Sequence, residues 1–287
     1  MYSRRFEYVR AESLNDASEI LRHHGEGAKI IAGGQSLLPL VNIGLVVPEV
    51  MVDISRVTEA REVTHDDGFL VIGALNTHHS LAVSELMHAT QPLLPAAARF
   101  IGNQRVRNRG TLGGSIAHSD PAGELPLAMT ALSATYELSN GLTTREVRAE
   151  EFALGFLTTQ LEPDEIVAAI RVPTLGPGWG WSFCEMSRRR GDFAVVAVAA
   201  LVRSAGGAVV EARLALGGVA DHPKRFGAIE SELAGASYDE IPQRVGTIEG
   251  IRPLSDTNAS SDYRRHLANV LAIRALEQAY RRSEEAQ

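Results

Sequence analysis

The sequence predicts an α+β protein, on three observations. A strand–helix–strand pattern opens the chain, hairpin-forming strands and helical stretches alternate through the middle, and the last third runs strands first and helices after. A Pro- and Gly-dense segment, PTLGPGWG at 173–180, sets that last third apart and is the best linker candidate.

Taken in order, Ser13 with Asp16 three residues on predicts a capping box and a helix start. Leu14, Ala17, Ile20 and Leu21 then share one face, and Gly25 stops the helix. Residues 29–32 form a short apolar strand that runs directly into Gly33-Gly34-Gln35-Ser36, and another strand covers 51–54. Strands over 63–65 and 69–73 flank Asp66-Asp67-Gly68, a hairpin signal. Thr77 caps a helix reaching about Met87, and 92–101 is a second helix ended by Gly102. A stretch rich in Gly, Asn, Arg and Asp follows over 103–126. Asn140-Gly141 joins strands over 134–138 and 144–147, and 166–172 is a further strand. Beyond the linker, 181–187, 194–202 and 209–216 make one antiparallel sheet, the last two strands joined through Ala205-Gly206-Gly207. Helices over 226–233 and 262–282 complete the chain, the second carrying Leu267, Val270, Leu271, Ala275 and Ala279 on its apolar face.

The 287 residues suffice for two or three small domains. Apolar residues at 45% and charged residues at 22% are those of an ordinary globular protein. With Lys plus Arg at 28 against Asp plus Glu at 35, the net charge of −7 disfavours nucleic-acid partners. No apolar run approaches the ~20 residues a membrane span needs. MYSRRFEY at 1–8 lacks the apolar core of a leader, so a cytoplasmic location is expected. The lone cysteine, Cys184, precludes an intramolecular disulfide and a self-contained iron–sulfur cluster.

The most informative feature is a repeated local grammar. Ala32-Gly33-Gly34-Gln35-Ser36 and Leu112-Gly113-Gly114-Ser115 each set two glycines before a polar residue. Paired glycines let the backbone bend sharply and present successive N–H groups to an anion, phosphate being the usual guest. Neither loop matches the P-loop or the G-x-G-x-x-G fingerprint, which argues against an ordinary ATPase or NAD dehydrogenase. Two such nests meeting in space would hold a pyrophosphate, one phosphate per loop. One Gly-Gly pair alone is more often a tight turn, and for two the turn and the nest stand about even. Asp120 and Glu124 are acceptors for ribityl or ribose hydroxyls, or else carboxylates favoured at a helix N-terminus.

AGGQSLLP at 32–39 and GTLGGSIAHSDPAGELP at 110–126 resemble the two FAD signatures of the molybdenum hydroxylases, and FCEMSRRRGDFA at 183–194 fits the same family. The form it is most similar to is the separate medium subunit of three-subunit enzymes such as bacterial carbon monoxide dehydrogenase; xanthine dehydrogenase carries a related domain within a longer chain. The resemblance covers nearly the whole chain. It implies a two-subdomain FAD-binding unit of the vanillyl-alcohol-oxidase type (1–55 and 56–175), followed by a small antiparallel sheet with helices (178–287). It places Ala32, Gly33, Gly34, Gln35, Ser36, Thr111, Gly113, Gly114 and Ser115 around the pyrophosphate, and Glu124 near the ribityl or ribose. It lines the cofactor with Ile101 and Val167 and sets Glu185 and Phe193 near the isoalloxazine ring. Glu185 stands where some relatives carry lysine, Phe193 where some carry tyrosine, and Ser115 where asparagine is frequent.

The resemblance also implies a division of labour: no catalytic acid, base or nucleophile and no metal ligand in this chain. FAD would sit here, molybdopterin-Mo in a large subunit and two 2Fe-2S clusters in a small one, assembled as a dimer of heterotrimers. The alternatives are a stand-alone FAD-dependent oxidase or dehydrogenase with its own substrate pocket, and a non-enzymatic nucleotide-binding scaffold. The adjacent pairs His23-His24 and His78-His79 read as surface or capping residues, and Cys184 as a buried strand residue. His118 lies inside the second signature, and Arg188, Arg189 and Arg190 read as a solvated turn or a partner-facing one.

Overall fold

The computed structural model describes residues 5–286, except the side chain of Asp66. Met1–Arg4 of the segment read for a leader lies outside the described residues. Strand β1 (Glu7–Arg10), helix α1 (Leu14–His24), β2 (Ala28–Ile31), α2 (Leu37–Asn42) and β3 (Val50–Asp53) form a parallel three-stranded sheet in the order β1-β3-β2. Ser13 caps α1 by accepting from the Asp16 amide, while the Asp16 carboxylate accepts from the Glu12 amide, one residue short of a reciprocal box. Ala17 and Leu21 bury against Val50 and Val52 of β3.

The middle region is built on an antiparallel sheet ordered β4-β5-β10-β6-β7. Strands β4 (Val63–Asp66) and β5 (Phe69–Gly73) form the expected hairpin. Helices α3 (His78–Val83), α4 (Glu85–Thr90), α5 (Leu93–Phe100), α6 (Gln104–Arg107), α7 (Leu112–His118) and α8 (Glu124–Leu132) follow. The single helix expected after Thr77 is two, because Ser84 turns extended and caps a new start on the Met87 amide. The polar 103–126 stretch holds α6 and α7. Then come β6 (Thr135–Ser139), β7 (Thr144–Arg148), α9 (Ala149–Phe152), the small hairpin β8 (Ala153–Gly155) and β9 (Thr158–Thr159), and β10 (Ile166–Pro173).

The last third contains β11 (Trp179–Met186), β12 (Val196–Ala205), β13 (Ala208–Gly217) and β14 (Lys224–Arg225) in antiparallel order, then α10 (Gly227–Glu232), α11 (Ile241–Val245) and α12 (Ser261–Glu285). β12 is buried on both faces. Ala197, Ala199 and Leu201 join the core of the middle region, while Val196, Val198, Ala200 and Val202 join the core under α12. That explains its unbroken apolar run: a strand covered on both sides has no polar alternation to show. On α12, Ala268, Ala272 and Leu276 are buried with Leu267, Leu271, Ala275 and Ala279, whereas Val270 is half-exposed. Among the described residues no helix is long and apolar enough to cross a membrane.

Candidate cofactor site

The first glycine pair leaves the C-terminal end of β2. Gly34 has φ +72, the left-handed region that favours glycine, and this turns the chain from strand into α2. Gly33 is dictated by proximity: a β-carbon there would lie 2.1 Å from the Arg109 carbonyl oxygen, so the bend rests directly on the second signature. Among the described residues the amides of Gly33, Gly34, Gln35, Ser36 and Leu37 have no intramolecular acceptor. The bend is therefore a run of open N–H donors, steadied by Gln35 Nε2 donating to the Gly33 carbonyl at 3.2 Å.

The second pair differs. Gly113 and Gly114 lie in the first turn of α7, capped by Thr111, whose Oγ1 accepts from the Gly114 amide at 3.1 Å. The amides of Leu112, Gly113 and Ser115 donate to Asn76, Ala74 and Thr111 carbonyls. The expectation of two matched nests is corrected here: the amides of 112–115 are already satisfied. Gly113 is small because its β-carbon would meet that of Ala74 at 2.5 Å, which lets α7 dock on the end of β5. What this turn offers the site is side-chain oxygen, from Ser115.

His78 locks the second turn. Its ring is 4% exposed, with Nε2 at 3.0 Å from the Thr111 carbonyl oxygen and 2.9 Å from Ser115 Oγ. Burial, reinforced by Arg107, pulls its pKa down to about 4 against the raising contact to Thr111, so the ring is neutral at pH 7. Sequence reading missed this residue by treating the His pair as surface. Its spacing to Leu81 and Ala82, three and four residues on and both buried, was the available signal.

Both signatures wall one cavity of about 470 Å³, a volume within the range of small-molecule sites. Ala32, Gly33, Gly34, Gln35 and Ser36 of the first signature and Thr111, Gly113, Gly114, Ser115 and His118 of the second line it together, and Val167 contributes apolar surface. The donors suit a phosphate-bearing ligand, open amides and a hydroxyl; of the two carboxylates that also line the cavity, Glu162 and Glu165, the second accepts from Arg145 at 2.7 and 2.8 Å.

The remaining predicted residues do not line this cavity. Ile101 is packed in the core, its carbonyl oxygen accepting from Arg107. Glu124 opens α8 and is 8% exposed; burial, then Glu185 and Asp120, raise its pKa to about 8. Glu185 on β11 is raised to about 7 by burial and has an Oε2 with no partner among the described residues. Asp120 Oδ1 accepts from the Ala122 amide at 2.8 Å. Phe193 is 72% exposed, on a loop whose Gly191 packs against Gly102. Asp120, Glu124 and Glu185 thus form an acidic group apart from the phosphate-type cavity, in which burial holds the Glu124 proton at neutral pH.

With this geometry in place, residues 4–175 match the model described as FAD binding domain in molybdopterin dehydrogenase, and 181–279 match the CO dehydrogenase flavoprotein C-terminal domain. The chain belongs to the FAD-binding medium-subunit family of the molybdenum hydroxylases. It is 36% identical to the glyceraldehyde dehydrogenase medium chain of Sulfolobus acidocaldarius, over 97% of this chain and 99% of that one. It is 35% identical to the carbon monoxide dehydrogenase medium chain of Hydrogenophaga pseudoflava, over 97% and 98%. A solved carbon monoxide dehydrogenase from Hydrogenophaga pseudoflava, lacking the Mo-pyranopterin moiety of its cofactor, superposes with a TM-score of 0.94 at 36% identity over 98% and 99% of the two chains. The family's fold, FAD-binding region first and C-terminal domain second, is the fold of this chain, which is the flavoprotein component of an oxidoreductase.

Proposed function

We propose that this chain is the FAD subunit of a three-subunit molybdenum hydroxylase, taking electrons from 2Fe-2S clusters of a small subunit and passing them to an external acceptor. A large subunit would hold molybdopterin-Mo and carry out the hydroxylation. The observation that carries the reading is the run of open amides at 33–37 in the same cavity as Ser115. FAD, when bound, supplies a carrier that can be loaded one electron at a time and unloaded by two. Residues 33–37 would neutralise its diphosphate, Ser115 would add a donor, and Val167 would cover apolar surface. Ile101, Asp120, Glu124, Glu185 and Phe193 are assigned to the ribityl and ring end, and the two predicted FAD-binding subdomains, 1–55 and 56–175, to either side of the cofactor. Glu124, raised to about 8 and so protonated at pH 7, would donate to a hydroxyl there.

The dimer of heterotrimers belongs to the same reading, as does a cytoplasmic location, for which the unpaired Cys184 is the support. The substrate lies with the large subunit: relatives of this chain are named for substrates as unlike as glyceraldehyde and carbon monoxide. The test is purification from the native host. The expected result is flavin absorbance bands co-eluting with one larger chain and one smaller, cluster-bearing chain. A colourless single polypeptide, or one that turns over substrate unaided, contradicts it.

A further inference from the structure

The contacts of His78 imply a role beyond packing. Nε2 lies 3.0 Å from the Thr111 carbonyl oxygen, which can only accept, so Nε2 carries the hydrogen and Nδ1 the lone pair. Nδ1 is buried and has no partner among the described residues, as a lone pair facing the Gly110 backbone would be. The same N–H points to Ser115 Oγ at 2.9 Å, so Oγ accepts from His78 and its single hydrogen remains to be donated.

A serine in a helix ordinarily returns that hydrogen to the carbonyl four residues back. For Ser115 this is Thr111, whose oxygen already takes the Ser115 amide at 3.0 Å and His78 Nε2. His78 thus occupies the competing acceptor and the accepting side of Oγ together. The remaining direction for the Ser115 O–H is the cavity, which Ser115 and His78 line together with the bend at 33–37. We infer that His78 is a positioning residue that fixes Ser115 as a hydroxyl donor to a phosphate oxygen of the bound dinucleotide. The inference deepens the proposed function and rests on it.

The test is a double-mutant cycle on the full-length apo chain, following flavin fluorescence with FAD and, separately, with riboflavin, which carries no phosphate. Ser115→Ala and His78→Phe should each weaken FAD about tenfold, as loss of one hydrogen bond to a charged group does. The double variant should fall no more than about two- to threefold below either single one, because the two residues act as one unit. His78→Gln, with an amide N–H in place of the Nε2 donor, should recover most of the affinity, and riboflavin binding should barely move. If His78→Phe fails to fold, His78→Asn, too short to reach Ser115, takes its place in the cycle. FAD losses that multiply to about a hundredfold, or equal losses for riboflavin, overturn the relay while leaving the FAD reading intact. A wild-type chain that takes up no FAD overturns both.

Discussion

The 33–37 bend and the 111–115 turn line one cavity, and they spend their backbone hydrogen bonds in opposite ways. The first satisfies almost nothing internally: its amides are open and its position is held by contact with the Arg109 backbone. The second satisfies nearly everything internally, through the Thr111 cap, the Ala74 and Asn76 carbonyls and the buried His78. An anion site needs both kinds of element. Open amides supply binding, and a saturated turn supplies a rigid wall against which they are aimed. Changes to the first should therefore register mainly in cofactor affinity, and changes to the cap and packing of the second mainly in stability, the Ser115 hydroxyl being the part of it that binds.

The sharpest way to break this distinction is Gly33→Ala, which acts on both regions at once. Its β-carbon would lie 2.1 Å from backbone that cannot swing aside, so a loss of about 3 kcal/mol in stability is expected by urea denaturation, with FAD affinity falling about a hundredfold or more. His78 comes next. In the unfolded chain it takes a proton near pH 6.5, while in the folded chain it stays neutral until about 4. Its contribution is thus present above pH 6.5 and lost as pH falls towards 4, a difference of about 3 kcal/mol. Glu124, raised to about 8, runs the other way: its contribution is full below about 4.5 and lost as pH rises through 8. The His78 share is read as the difference between wild type and His78→Gln in denaturation midpoints at pH 5 and pH 7, and a constant difference would count against it. Thr111→Ala removes the cap on α7 and should lower stability by about 1 kcal/mol in a thermal melt. Gln35→Ala should be the mildest: stability within about 0.5 kcal/mol of wild type, and FAD weakened only severalfold through a looser bend.

Much of this was legible from residues alone. The strand into Gly33-Gly34 and the hairpins at 66–68 and 140–141 follow from period and turn chemistry, and the structure has them within a residue or two; the strand expected over 194–202 is β12, Val196–Ala205, which runs three residues further. The turn at 111–115 was not legible. Gly-Gly is a poor helix former, and only the Thr111 cap and the close packing of Gly113 on Ala74 make it helical. Helix α8 hid for another reason: all nine of its residues are buried, so it shows no polar face to give it a period. His78 escaped in part: its spacing to Leu81 and Ala82 signals burial, but its partners, Thr111 and Ser115, are more than thirty residues away in sequence.

The most direct test of the account is amide chemical-shift mapping of the full-length chain as FAD is added to the apo protein. The prediction is that the amides of Gly33, Gly34, Gln35, Ser36 and Leu37 move furthest and gain protection from exchange, that ADP reproduces the effect, and that riboflavin does not. Amides of 33–37 that stay unchanged while those of Leu112, Gly113, Gly114 and Ser115 shift would contradict it.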